Sequence, residues 1–249
     1  MNLGLEGKAA IVTGGSLGIG QAVALGLARE GVDVAVNYRR HDAEAKGVVA
    51  EIEELGRRGL AVKADVSSFA DAEAMVQQVK DEFGRLDILV CNAGITWDGV
   101  IWKMSEEQWD AVIGVNLKGY FNYNRAAARV FKDQKSGKIV NIASINGLRG
   151  KFAQTNYAAS KGGEIALSKS LAKELGKFNV NVNVVAPGMV LTEMMEKIPA
   201  EFKNTAMAET VLGRFADPVD VADLVAFLCS DRSRHITGEV IKIDGGQYI

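Results

Sequence analysis

Ala10-Ile11-Val12-Thr13-Gly14-Gly15-Ser16-Leu17-Gly18-Ile19-Gly20 carries an apolar run through a cluster of glycines directly into residues with helical spacing. Glycine permits a tight turn and close backbone approach to a bulky anion, because no Cβ stands in the way. A helix that begins there offers unpaired N–H groups and the positive end of its dipole to a phosphate. Gly14, Ser16, Leu17, Gly18, Ile19 and Gly20 are therefore candidates to cradle a dinucleotide pyrophosphate. A glycine cluster by itself signals only a turn; the strand before it and the helix after it favour the nucleotide.

Outward from that turn, short β-like runs recur at 9–12, 32–36, 60–62, 88–90, 139–142, 180–185 and 240–243. The stretches between them are long enough for crossover helices, and 18–30, 43–55 and 71–83 show the amphipathic period. This alternation predicts an α/β fold: one Rossmann-like, doubly wound parallel sheet covered on both faces, with 1–249 as a single domain. Segments 94–105 and 188–212 follow strands, and ligands of open α/β sheets sit beyond the carboxyl ends of strands. Both are predicted site loops, and 188–212 is the candidate mobile segment.

Composition narrows the functions. The 249-residue chain is 48% hydrophobic with a formal net charge of -2, which argues against a nucleic-acid partner and against a disordered tail. Cys91 and Cys229 each end an apolar run and read as buried thiols rather than a disulfide or redox pair. His41 and His235 are isolated, and neither H-E-x-x-H nor Cys-x-x-Cys spacing occurs, so no metal site is expected. Without a signal-peptide layout or an apolar run long enough to span a membrane, a soluble cytoplasmic protein is expected.

The chemistry gathers later in the chain. Tyr157 and Lys161 stand four residues apart in Tyr157-Ala158-Ala159-Ser160-Lys161, one turn apart on one face if 155–177 is helical. A free phenol titrates at about pH 10 and a nearby ammonium stabilises its phenolate, so the pair suits proton transfer at an oxygen. Ser144 follows the run 138–143, at the carboxyl edge of the predicted sheet. Singly, Ser144 reads as a turn or cap, Asn116 as a polar helix residue and Tyr157 as an interfacial aromatic. Together with a nucleotide turn they read as a site of hydride and proton transfer.

The spacing T-G-x-x-x-G-x-G from Thr13 to Gly20 resembles the short-chain dehydrogenase/reductase family. The resemblance covers nearly the whole chain, through Asp65-Val66, Asn92-Ala93-Gly94, Asn116, Ser144, Tyr157, Lys161, Pro187-Gly188 and Asp244-Gly245-Gly246. It implies that Asp65 and Val66 contact adenine and that Asn92, Ala93 and Gly94 flank the adenosine and nicotinamide portions. Pro187, Gly188, Val190 and Thr192 complete the implied cofactor site. Ser144 would hydrogen-bond the substrate oxygen, Tyr157 transfer the proton, and Lys161 contact the nicotinamide ribose while lowering the tyrosine pKa. Asn116 would hold a water of the proton relay. Cys91 stands where the family often has Asn.

Tyr38 occupies the position where NAD-selective relatives place an acid, and Arg39 follows it. A guanidinium there suits a 2′-phosphate, which favours NADPH; Leu17 stands where many NADP-using relatives carry a base, which leaves NADH open. Residues 144–157 resemble β-ketoacyl-thioester reductases, especially acetoacetyl-CoA reductases, and 94–98 and 104–117 resemble that group and the β-ketoacyl-carrier-protein reductases. That likeness implies reduction of a 3-oxoacyl thioester linked to CoA or a carrier protein, with Phe152 and Gln154 bordering the acyl pocket; Trp97 replaces an arginine common in these relatives. Residues 34–39 also resemble glucose-dehydrogenase relatives, so a sugar, polyol or secondary-alcohol dehydrogenase is an alternative. A noncatalytic nucleotide sensor or scaffold is a third. Arg125, Arg129, Lys132, Lys173 and Lys177 form either a basic surface for an acidic acyl-carrier protein or a solvated helix face. Trp97, Trp102, Met104, Met189, Met194 and Met195 read as an apolar lid or as packing. The resemblance further implies a homotetramer built on the helices after the fourth and fifth strands, with the final strand at another interface.

Overall fold

Alternating side chains build the centre of the molecule. Along β1 (Ala9–Val12), Ala9 and Ile11 face one helical layer while Ala10 and Val12 face the other, and all four are fully buried. In a computed structural model describing residues 3–196 and 199–249, this strand lies in a seven-stranded parallel sheet of order β3-β2-β1-β4-β5-β6-β7. After β1 come α1 (Gly18–Arg29), β2 (Asp33–Tyr38), α2 (Asp42–Glu54), β3 (Gly59–Lys63), α3 (Phe69–Phe83) and β4 (Ile88–Cys91). The second half runs α4 (Glu106–Val112), α5 (Gly119–Gln134), β5 (Gly137–Ile142), α6 (Asn146–Arg149), α7 (Thr155–Leu175) and β6 (Val180–Pro187). It closes with α8 (Glu193–Glu196), α9 (Ala200–Glu209), α10 (Pro218–Cys229) and β7 (Val240–Ile243).

Two cores sandwich the sheet. Val23 and Leu27 of α1, Val48 and Ile52 of α2 and Val225 of α10 fill one; Met75 and Val79 of α3, Tyr123 and Phe131 of α5 and Leu175 of α7 fill the other. The five inner strands are buried on both faces, which is why they read as largely apolar runs, while the edge strands β3 and β7 are only partly covered. The chain winds outward from β1 through β2 to β3, then returns to the opposite side of β1 as β4. That reversal opens a crevice at the carboxyl ends of β1 and β4, where a ligand of this architecture binds.

The seven expected strands are all present. Segment 188–212 is not an open loop, since it folds α8 and α9 within it. Lys197 and Ile198 of that segment, and the side chain of Met194, lie outside the described residues. The helix expected over 155–177 stops at Leu175, where Gly176–Phe178 tightens into a 3-10 turn and Asn179 turns left-handed at φ 59°. A π-helical turn, Ile113–Lys118, joins α4 to α5 and carries Asn116. Cys91 and Cys229 are buried free thiols. Among the described residues, no group of His, Cys, Asp or Glu is arranged to hold a metal ion, and no helix is long and apolar enough to cross a membrane.

Candidate active site

The glycine turn follows β1 with Gly14 and Gly18 at φ 61° and 54°, in the left-handed region that a side chain disfavours. Gly20 is held for a different reason: a Cβ there would lie 2.1 Å from the Gly14 carbonyl oxygen and 2.5 Å from Asn92 Nδ2. Asn92, just beyond β4, donates from Nδ2 to the Thr13 and Gly14 carbonyls at 3.1 and 3.2 Å. Thr13 Oγ1 accepts from the backbone N–H groups of Asn92 and Ala93, and Asn37 Oδ1 accepts from Gly14 N. Strand ends on both sides of β1 therefore fix the turn. Leu17 precedes α1 in an extended conformation and supplies no side-chain cap, so the first turn of the helix keeps donors for an external anion. The turn fits a dinucleotide pyrophosphate.

The other strand ends converge on the same edge. Ile145 N donates to the Pro187 carbonyl and Gly188 N to the Ile243 carbonyl, stitching the ends of β5, β6 and β7. Val190 bridges to Ala216, and Thr192 lies against Gly18, whose ideal Cβ would be 3.2 Å from Thr192 Cγ2. The segment after β6 thus covers the glycine turn. A cleft of about 790 Å³, lined by Gly18, Leu25, Arg29, Thr192, Lys203 and Asp217, lies beside this turn rather than over Tyr157.

At the end of β2 the Tyr38 ring is packed in the core and its hydroxyl donates to Asp42 at 2.6 Å, so only its backbone faces the nucleotide edge. Arg39 is half exposed, 3.2 Å from Asp65 Oδ2. Burial raises the Asp65 pKa, but hydrogen bonds from Ser67 and the Arg39 charge outweigh it and hold the carboxyl below its ordinary value. Val66 is buried against Gly119, its carbonyl bonded by Asn122.

Ser144 lies just beyond β5, and Tyr157 and Lys161 project from the first turns of α7. Ser144 Oγ accepts from Asn146 N at 3.1 Å, and its hydroxyl is near enough to Tyr157 to pull the phenol's pKa down. Lys161 Nζ lies 5.7 Å from the Tyr157 ring centroid. It donates to the Ile142 carbonyl at 2.9 Å and to Glu164 Oε2 at 3.1 Å, with Tyr120 OH at 3.5 Å. Asn116 is fully buried; its Nδ2 donates to the Ile95 carbonyl and Ser160 Oγ while Oδ1 accepts from Ile95 N. Its side chain therefore joins the loop after β4 to α7. Desolvation raises the Tyr157 pKa; the Lys161 charge and the Ser144 hydrogen bond pull it down, and Glu164 and Asp98 push it up. The net direction is up, because burial outweighs the pull of Lys161, and Glu164 adds to the rise.

Phe152 stands 79% exposed on the rim, whereas Gln154 is buried and its amide is occupied: Oε1 accepts from Asn146 and Nε2 donates to Asp98. The Gly99 N–H to Ala153 carbonyl bond sets the exposed Trp97 and Trp102 loop beside Phe152. Met189 and Met195 pack with Ala206 and Phe215 in a small core. Glu209 ties α9 to Arg149 and Gln247. Arg125 and Arg129 both bind Glu73, while Lys132 and Lys177 flank the Phe178 ring. Glu164, Tyr120 and Asn37 escaped the sequence reading, and Thr13 was read only as the start of the glycine motif. Only Glu164 left a signal, a carboxylate on the buried face of α7 with Lys161, Ile165 and Ser168.

With a nucleotide turn and a Ser-Tyr-Lys cluster on one sheet edge, this chain belongs to the short-chain dehydrogenase/reductase family, and it is an NAD(P)-dependent oxidoreductase. Residues 14–247 match the family described as enoyl-(acyl carrier protein) reductase. The chain is 43% identical over 242 residues to the 3-oxoacyl-[acyl-carrier-protein] reductase FabG of Staphylococcus aureus, covering 97% of this chain and 98% of that one. It is 44% identical over 246 residues to FabG of Thermotoga maritima, covering 98% and 99%. A crystal structure of a protein assigned as a short-chain alcohol dehydrogenase from Sinorhizobium meliloti 1021 superposes with TM-score 0.92 at 34% identity, covering 97% and 96%.

Proposed function

We propose that this chain reduces the ketone of a 3-oxoacyl thioester to the 3-hydroxyacyl thioester, with NADPH as the favoured cofactor. The carrying observation is that Ser144, just beyond β5, and Tyr157 and Lys161, on the first turns of α7, gather on the sheet edge that holds the glycine turn, with Lys161 Nζ 5.7 Å from the Tyr157 ring. Two hydroxyls directed at one oxygen suit a carbonyl whose oxygen gains a proton. The carbonyl carbon would take its hydride from a nicotinamide held by the glycine turn. Tyr157 gives its hydroxyl proton to the ketone oxygen, Ser144 holds that oxygen by a hydrogen bond, and Lys161 supports the phenolate left behind. Gly14, Ser16, Leu17, Gly18, Ile19 and Gly20 hold the pyrophosphate. Asp65, Val66, Asn92, Ala93, Gly94, Pro187, Gly188, Val190 and Thr192 line the rest of the cofactor.

Arg39, half exposed and paired with Asp65, would bind a 2′-phosphate. Arg39→Ala is expected to weaken NADPH by ~1.5–3 kcal/mol, roughly 10- to 150-fold, and NADH little, because only NADPH loses a charge-assisted hydrogen bond. Fluorescence titration of both cofactors checks this; equal weakening would make Arg39 a structural residue.

The acyl group is carried by CoA or by an acyl-carrier protein. The protein acts in the cytoplasm as a homotetramer, packed through the groove between α5 and α7 lined by Phe121, Ala128, Leu167 and Leu171. Phe152 and Gln154 position the thioester, Phe152 by direct packing and Gln154 by holding the loop of Asp98. Phe152→Ala is expected to lower kcat/KM for acetoacetyl-CoA on the order of ten-fold, about 1.4 kcal/mol, while leaving a compact ketone nearly unchanged. Gln154→Ala should act in the same direction. Equal losses on both substrates would remove Phe152 from the acyl pocket. The secondary-alcohol reading is favoured by the Sinorhizobium likeness, and a screen of sugars and cyclic alcohols distinguishes it.

A further inference from the structure

Glu164 is fully buried on α7, one turn beyond Lys161. Its Oε2 accepts from Lys161 Nζ at 3.1 Å; Oε1 lies 2.9 Å from the same nitrogen, out of line for a hydrogen bond and without another donor. A buried carboxylate with one good partner is a poor stabiliser, since an apolar side chain of similar size would do as well or better there. What it does do is hold the ammonium. Lys161 Nζ is fixed between Glu164, the Ile142 carbonyl and Tyr120 OH, and this same nitrogen faces the Tyr157 ring.

We propose that Glu164 is a positioning residue that shares the Lys161 ammonium and so limits the support this charge gives to a Tyr157 phenolate, keeping the tyrosine a proton donor into the alkaline range. The inference rests on the reading that Tyr157 transfers the proton. The ionisable groups around the pair are Cys91 from β4, Tyr120 from α5, Tyr157 from α7 and Asp98 from the loop after β4. Burial pushes Cys91 and Tyr120 well above their ordinary values, so both stay neutral. Glu164 and Lys161 are then, with Asp98, the charges that act on Tyr157. Burial lifts the Glu164 carboxyl to about 8, against the downward pull of Lys161, so it is anionic through the range in which a tyrosine titrates. An anion disfavours a second anion nearby; removing it must move Tyr157 ionisation to lower pH.

The test is ultraviolet titration of tyrosinate in the cofactor-free protein, each variant measured against its own Tyr157→Phe counterpart so that the difference reports Tyr157. Glu164→Gln is expected to lower the midpoint by on the order of one pH unit, the effect of one nearby charge in a partly buried site. Glu164→Leu, which keeps the packing if Gln does not, should do the same, and Glu164→Asp should stay near the parent. The alkaline limb of kcat for ketone reduction should move down in parallel, while rates below about pH 8, where Glu164 is neutral, converge. A Gln or Leu variant whose Tyr157 ionises no more readily than the parent's overturns the proposal. Failure of the proposed reduction shows differently, as absence of thioester turnover by the parent, which leaves this titration intact.

Discussion

Tyr157→Phe is expected to fold, to bind cofactor with nearly parental affinity, and to lose roughly 10²–10⁴-fold in kcat, the range typical of a positioned general acid. The ring survives, so its packing on α7 and its place near Lys161 are kept. Only the hydroxyl beside Ser144 disappears, and with it the proton that Tyr157 would give to the ketone oxygen. Stopped-flow measurement of a single hydride transfer, alongside cofactor titration, separates the loss of chemistry from a loss of binding. Near-parental turnover would remove Tyr157 from the mechanism.

Gly20→Ala is expected to damage the cofactor site without touching the chemistry directly. Its new Cβ would collide with the Gly14 carbonyl oxygen and with Asn92 Nδ2, which is a backbone clash that no rotamer can relieve. The turn must open, and the Asn92 bonds to the Thr13 and Gly14 carbonyls open with it. Overpacking of this kind costs ~1–3 kcal/mol, and for a domain of this size each kcal/mol lowers Tm by about 2–4 °C. Cofactor affinity should fall by at least about ten-fold, because the donors aimed at the pyrophosphate are displaced. Unchanged Tm and affinity would mean that the turn is looser than its geometry indicates.

Much of this architecture was legible because parallel strands buried on both faces are continuous apolar runs, and the helices between them carry a clear period. The glycine turn and the Tyr157-Lys161 pair were legible for a similar reason, since each is a local pattern tied to one element. What the sequence hid was the third dimension. Gln154 reads as a rim residue beside Phe152, yet its amide turns inward to Asn146 and Asp98 because Gly99 pairs with this loop. Tyr38 reads as part of the nucleotide edge, but the strand's alternation sends its ring into the core. Segment 188–212 lacks a strong amphipathic stripe, and its two short helices form only against Phe215, Arg149 and Gln247. Glu164 was passed over despite its place on the buried face of α7, since a lone acid in a helix is ordinarily a solvated one.

The central claim is reduction of a 3-oxoacyl thioester, and its most direct measurement is steady-state NADPH oxidation by the purified enzyme with acetoacetyl-CoA and a 3-oxoacyl carrier protein. Sugars, polyols and cyclic alcohols with either oxidised cofactor serve as the comparison. Efficient turnover of at least one thioester, dependent on Tyr157, is the predicted result. No thioester reduction, together with efficient oxidation of a sugar or secondary alcohol, would contradict it.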